Sequence, residues 1–212
     1  MVERIVYFVR HGENTANLTR EFSHRLVDYS LTARGEEQAR CTARRFIGER
    51  IGAVYASPLK RAHETAAIVA EPLGLPVTSL EDLREVNVGT LEGQPPTDAL
   101  WALHDGVFAA WGAGLLDTAF PEGEDQRALE WRLRRAVGVM LRAGAGAGQA
   151  IAVTHGGILA AALPALCPGA SRNALISLWL ENCSVTEVRF RREDGAALVG
   201  EIVRWGDCAH LG

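Results

Sequence analysis

Three short apolar runs constrain this chain most: Ile5 to Val9, Ala53 to Ala56 and Ile151 to Val153. Each is too short for a buried helix, and each is followed at once by a helix-like stretch. None alternates cleanly between apolar and polar residues, which is how parallel strands covered on both faces read. The repeated alternation of strand and helix predicts an α/β fold, a three-layer α/β/α sandwich around a mainly parallel central sheet. The first helix is expected in TARGEEQARCTARRFIGER, with Thr32 as its N-cap and acidic residues early. A second begins in SPLKRAHETAAIVA, with Ser57 at the cap and Pro58 at the first helical position. A third starts at HGGILAAAL. Residues 98–142 read as mostly helical, with Trp101, Phe108 and Trp111 on one side of an excursion. AGAGAGQ at 143–149 reads as a joint between helix and strand. Near the end, CSVTEVRF and AALVGEIVRW flank Asp194-Gly195, the pattern of a hairpin or a strand pair with a short turn.

The 212 residues fit a single domain. A formal net charge of −4 argues against non-specific binding to nucleic acid. It says little about small anions, since a pocket can be locally positive on an acidic protein. Cys41, Cys167, Cys183 and Cys208 are scattered without a CxxC pair, so neither a zinc site nor a redox dithiol is expected. The opening MVERIVYFVRHG has too short an apolar run for a signal peptide, and no run approaches a membrane span. The expectation is a cytoplasmic protein with no membrane partner.

Chemistry-bearing residues stand directly after the expected strands. Arg10 and His11 follow IVYFV, Arg61 falls in the first turn of the helix after AVYAS, and His155 follows IAVT. In open α/β sheets ligands bind at the carboxyl ends of the strands, so the two histidines and two arginines are expected to converge on one crevice. Adjacent helix N-termini add N–H donors and positive dipole ends. The sum is a pocket for a doubly charged anion such as a phosphoryl group. Taken singly, each residue has a plainer reading: a structural histidine, a surface ion pair, turn glycines at Gly12, Gly156 and Gly157. Arg61 sits at the wrong end of a helix for its charge, which disfavours a purely structural role.

The same segments carry a family likeness. VRHGENTAN resembles the RHG signature of the histidine phosphatase superfamily, which includes phosphoglycerate mutases and many phosphatases. ASPLKRAHETA, LREVNVGTLEG, PEGED and VTHGGIL resemble the later blocks of that family, in the family's order and between residues 5 and 158. The resemblance implies a phosphoglycerate mutase-like fold and a role for each matching position. His11 would be the nucleophile that becomes phosphorylated. Arg10, Arg61 and His155 would hold the phosphoryl oxygens, with Asn17 contacting the group and Gly156 beside it. Glu85 would be the proton donor, protonated at the moment of transfer. Such a nucleophile must be a neutral imidazole with one ring N–H held by an acceptor, and two nearby arginines favour that form. Two guanidinium groups also supply the charge stabilisation that phosphoryl transfer needs. No metal and no cofactor is required by that chemistry.

The pattern departs from the family at three places. Asn14 stands where many members carry Thr or Ser. Asp125 replaces the Ser of the family's GGES segment. His24, in EFSHRLVD, stands where the mutases have Gly in a stretch that contacts substrate, while Ser23 keeps its family type. Ser23 and His24 are therefore candidate substrate contacts, with a surface-loop histidine as the plain alternative for His24. The specificity surface is expected in the loop Phe22 to Leu26 and in the helical excursion at about 95–142, which would cover the active site. Trp101, His104, Phe108 and Trp111 would form either a wall of the site or ordinary core. The segment from Glu85 to His155 is shorter than in typical mutases. A more open site admits water, which turns a phosphohistidine enzyme into a phosphatase. The expected activity is hydrolysis of a small phosphorylated metabolite without metal. A cofactor-dependent phosphoglycerate mutase and a non-catalytic phospho-ligand-binding module are the alternatives. Leu and Trp residues near 175–180 raise a homodimer, although core packing accounts for them more simply.

Overall fold

The computed structural model describes residues 2–142, 148–178, 180–192 and 198–212. Six strands form one sheet: β1 (Val2–Arg10), β2 (Ile51–Ala56), β3 (Val77–Ser79), β4 (Gln149–Thr154), β5 (Val185–Arg192) and β6 (Val199–Asp207), in the order β3-β2-β4-β1-β5-β6. β3, β2, β4 and β1 are parallel neighbours. β5 and β6 extend the sheet antiparallel from β1, so the sheet is mixed and its parallel part holds the centre. The expected strand pair near the end is β5–β6. The Asp194-Gly195 turn between them, and residues 143–147 of the expected joint, lie outside the described residues.

Because successive side chains of a strand point to opposite faces, β1 divides its apolar residues between two cores. Tyr7 and Val9 pack with Phe46, from the turn that follows α2 (Ala33–Arg45), and with Ala62, Ala66 and Val69 of α3 (Lys60–Ala70). Val6 and Phe8 pack with Leu129, Leu133 and Met140 of α5 (Gln126–Arg142) and Ile158 and Leu159 of α6 (Gly156–Ala162). These are the three layers. α5 is thus a core helix, whereas α4 (Asp98–Gly112) packs beside α7 (Arg172–Ser177). Within the described residues, no helix is long and apolar enough to cross a membrane.

Local signals account for several element ends. The Thr32 hydroxyl caps α2 by accepting the Gly35 N–H at 3.0 Å, and the helix closes at Phe46 rather than running to Arg50, because Phe46 turns into the core. α1 (Thr15–Thr19) opens with a reciprocal capping box between Asn14 and Asn17. Asn caps as well as the Thr or Ser it replaces. Asp125 likewise accepts the Ala128 N–H at 2.8 Å at the start of α5, a duty Ser shares. Two expectations need correction. α3 begins at Lys60 with Leu59 at its cap, and the Ser57 hydroxyl is engaged elsewhere, by His155. Of the leucines at 175–180, Leu175 and Leu180 are buried and only Leu178 is exposed; Trp179 lies outside the described residues.

Candidate active site

The carboxyl ends of β1, β2 and β4 bring four of the expected residues together. Arg10 ends β1 and His11 follows it; His155 follows β4; Arg61 stands in the first turn of α3, after β2. All four are buried. The two imidazole rings lie 5.1 Å apart between centroids.

The hydrogen bonds of His11 determine its tautomer. Nδ1 lies 2.8 Å from the Gly12 carbonyl oxygen, which can only accept, so Nδ1 carries the proton. Nε2 lies 3.1 Å from Nε of Arg61, which can only donate, so Nε2 presents a lone pair. Burial, then the charges of Arg61 and Arg10, hold the imidazole well below the usual histidine range and therefore neutral. The arginine effect read from the sequence is present, but desolvation is the larger cause. The Gly12 N–H donates to Thr65 Oγ1 at 3.0 Å, so α3 also fixes the peptide that fixes the ring.

Arg61 keeps its charge although burial lowers its pKa to about 10. Its Nη1 and Nη2 donate to the hydroxyl and the carbonyl oxygen of Ser23, each at 2.7 Å. The Ser23 hydroxyl donates in turn to the Val27 carbonyl, so Ser23 reaches the site by holding Arg61. Arg10 donates to the Leu180 carbonyl, and its side chain runs past Gly156. His155 joins Nε2 to the Ser57 hydroxyl at 2.8 Å and is also held neutral by burial and then by Arg61. Asn17 accepts at Oδ1 from Asn14 N–H at 3.2 Å and from Asn182 Nδ2 at 3.0 Å, and Asn182 also bonds the His11 carbonyl at 3.0 Å.

Glu85 comes from the loop after β3 and is held against the start of α6. Its Oε1 accepts the N–H groups of Val86 and Ile158, both at 2.8 Å, and its Oε2 accepts that of Gly157 at 3.1 Å. A Cβ on residue 157 would lie 2.6 Å from Oε1, so the carboxylate requires glycine there. The first turn of α6 therefore holds the acid, where the sequence suggested that its N–H groups would face the ligand.

A profile of the histidine phosphatase superfamily (branch 1) matches residues 6–202. The chain belongs to the histidine phosphatase superfamily. A relative from Yersinia enterocolitica named "Probable phosphoglycerate mutase GpmB" is 35% identical over 97% of this chain and 94% of its own length. Among solved structures, Bacillus stearothermophilus YhfR superposes with a TM-score of 0.81 at 27% identity, covering 99% of this chain and all of its own. A mycobacterial glucosyl-3-phosphoglycerate phosphatase superposes with a TM-score of 0.80 at 25% identity, over 97% of this chain and 100% of its own.

In this member of the superfamily, several supports of the site escaped sequence reasoning. Arg132, buried on α5, makes a two-bond pair with Glu124 at 2.7 and 2.9 Å. It also donates to the carbonyls of Asp82, Arg84 and Glu85, which fixes the loop carrying Glu85. Glu124 completes the brace by accepting the Asn87 N–H at 2.8 Å. Glu92 gathers the loop of Phe22 to Leu26: one oxygen accepts the N–H groups of His24, Arg25, Leu26 and Val27 at 2.6, 2.7, 2.9 and 3.2 Å. The only trace of either device was the acidic residue in PEGED and in TLEG. His24 is no surface histidine. It is partly buried, and its Nδ1 bonds the Glu85 carbonyl oxygen at 2.8 Å. The aromatic question resolves by position along α4. Phe108 and Trp111 are core, while Trp101 and His104 lie half-buried against Phe22, with ring centroids 4.4 and 5.2 Å from it.

Proposed function

We propose that this member of the superfamily is a phosphomonoesterase that hydrolyses a small phosphorylated metabolite through a phosphohistidine on His11. The observation carrying the reading is the Nε2 lone pair of a neutral imidazole, set between two buried guanidinium groups. An incoming phosphoryl group would take over the Nε donor of Arg61 and the Nη hydrogens that Ser23 leaves free, together with Arg10 and the Asn17 amide. Nε2 would then attack phosphorus as the ester P–O bond breaks. The leaving oxygen takes its proton from Glu85. A water molecule next attacks the phosphohistidine, returns a proton to Glu85 and breaks the P–N bond, releasing phosphate and restoring the lone pair. His155 would hold a phosphoryl oxygen and, by staying neutral, would leave the guanidinium groups as the positive charges at phosphorus. The arginines supply the charge stabilisation, so the reaction is expected to need no metal. The reading treats residues 1–212 as one domain, with α4 and its neighbouring chain covering the site.

The phosphoglycerate mutase named among the relatives favours a second reading, in which the phosphohistidine returns its group to the reoriented product. Both are separated by one experiment. The protein is incubated with chelator, p-nitrophenyl phosphate and a panel of phosphorylated metabolites, beside His11→Ala, and 3-phosphoglycerate isomerisation is followed with a bisphosphoglycerate primer. Phosphate release that survives chelation and vanishes in His11→Ala is the expected result. Primed isomerisation faster than hydrolysis would assign the mutase reaction. Neither activity in folded protein would favour a module that only binds phospho-ligands.

A further inference from the structure

The end of the site away from phosphorus is bracketed by two consecutive residues. Ser23 holds Arg61, and His24 holds the carbonyl of Glu85 at 2.8 Å. His24 thus stands between a phosphoryl-binding guanidinium and the acid that protonates the leaving oxygen, on the leaving-group side. The Glu85 carbonyl only accepts, so Nδ1 of His24 carries the proton and Nε2 keeps a lone pair. Burial lowers the pKa of the ring, which supports the neutral form.

Most donors and cations around His24 are already committed, the exposed Arg25 excepted. The N–H groups of residues 24 to 27 all converge on Glu92. Arg84 is held by Glu81 at 2.7 Å and Arg132 by Glu124. Arg25 is exposed and acts on Glu81. Meanwhile Glu85, Asp28 and Glu92 all act on Arg61. Even with Glu85 protonated for transfer, a dianionic phosphoryl group added to Asp28 and Glu92 leaves the field unfavourable for any further negative charge. At His24 itself a carboxylate on the leaving group would meet an acceptor rather than a donor, whereas a hydroxyl would find Nε2 of His24 ready to accept.

We infer that the substrate is a phosphomonoester whose leaving group is uncharged and hydroxylated, as in a polyol or sugar phosphate, with Nε2 of His24 as the acceptor that reads its hydroxyl. The inference rests on the hydrolase reading above.

The test uses a matched pair. Glycerol 3-phosphate and 3-phosphoglycerate differ by a hydroxymethyl group in place of a carboxylate. The wild-type kcat/KM is expected to favour glycerol 3-phosphate by about tenfold or more, the scale on which a mismatched polar partner is rejected. His24→Ala should shrink that ratio at least several-fold, and His24→Lys should reverse it by supplying the missing cation. The ratio is read even where a variant lowers both activities, and the wild-type pair decides alone if the variants fail to fold. Equal use of the two substrates, a preference for 3-phosphoglycerate, or a ratio unmoved by both variants would overturn the inference while p-nitrophenyl phosphate hydrolysis still upheld the hydrolase. Loss of the 3-phosphoglycerate reaction in Arg25→Ala would overturn it too and give the role to that arginine. Absence of all hydrolysis would remove the hydrolase reading and this inference with it.

Discussion

Arg10, His11 and His155 stand on or directly after central strands β1 and β4, whereas the loop Phe22 to Val27 is gathered by one carboxylate oxygen of Glu92, bonds Arg61 and the Glu85 carbonyl through Ser23 and His24, and leans on α4. The first group is almost wholly withdrawn from solvent, with His11 3% and His155 0% exposed, while Leu26 in the second is 77% exposed. On the proposed hydrolysis the contrast would follow from the chemistry each end serves. A phosphoryl group has one shape and one charge, so its contacts can be frozen into the sheet. A leaving group varies, and a loop held by side chains rather than by strand pairing can change without disturbing β1 or β4.

That comparison can be broken by substitutions at either end. The largest expected effect is at the rigid end. His11→Ala should lower kcat by about four orders of magnitude or more, measured as phosphate release, because the neighbouring imidazole, His155, has its Nε2 bonded to Ser57. Glu85→Gln should cost about a hundredfold, within the usual range for general acid–base catalysis. With p-nitrophenyl phosphate, whose leaving group needs no proton, that variant should show a burst of nitrophenolate and then slow turnover as phosphohistidine accumulates. A third measurement is stability against pH. Burial and the nearby arginines lower the pKa values of His11 and His155 in the folded protein, so the unfolded chain binds more protons below about pH 6.5. Stability contributed by these groups is complete above that pH and falls as the pH drops below it. The slope approaches about 1.4 kcal/mol per pH unit for each ring, and denaturant melts of wild type and His11→Ala should differ in that slope. The smallest effect belongs to the tethered end. Glu92→Gln weakens charge-assisted bonds to the loop, and should cost about 1–2 kcal/mol in kcat/KM, mostly as raised KM. Equal losses of kcat in Glu92→Gln and Glu85→Gln would show that the two ends are not independent.

The rigid end was also the legible one. Strand runs, the Thr32 cap and the residues following each strand are local patterns, and local patterns leave marks in sequence. The reading stopped where a side chain serves a distant backbone. Ser57 before a proline looks like a helix cap, and nothing nearby says that His155, 98 positions away, claims its hydroxyl. Arg132 looks like one more polar residue on α5, yet it props carbonyls 47 to 50 positions earlier. Asn182 and the Glu92 tether belong to the same class. The mixed sheet was half readable: the β5–β6 pair was expected, but its antiparallel joining to β1 has no local signature. The three residues of β3 were too few to show any period.

The bond between Arg61 Nε and His11 Nε2 has one more consequence. The guanidinium that would grip the substrate already grips the nucleophile, so binding exchanges one acceptor for another on the same donor. Little of the surrounding protein need move for that exchange, since Ser23 and Gly12 hold both side chains before anything arrives. In the language of rate theory the reorganisation energy is small: the cost of stripping water from the arginine and aiming the imidazole was met when the chain folded, not at each turnover.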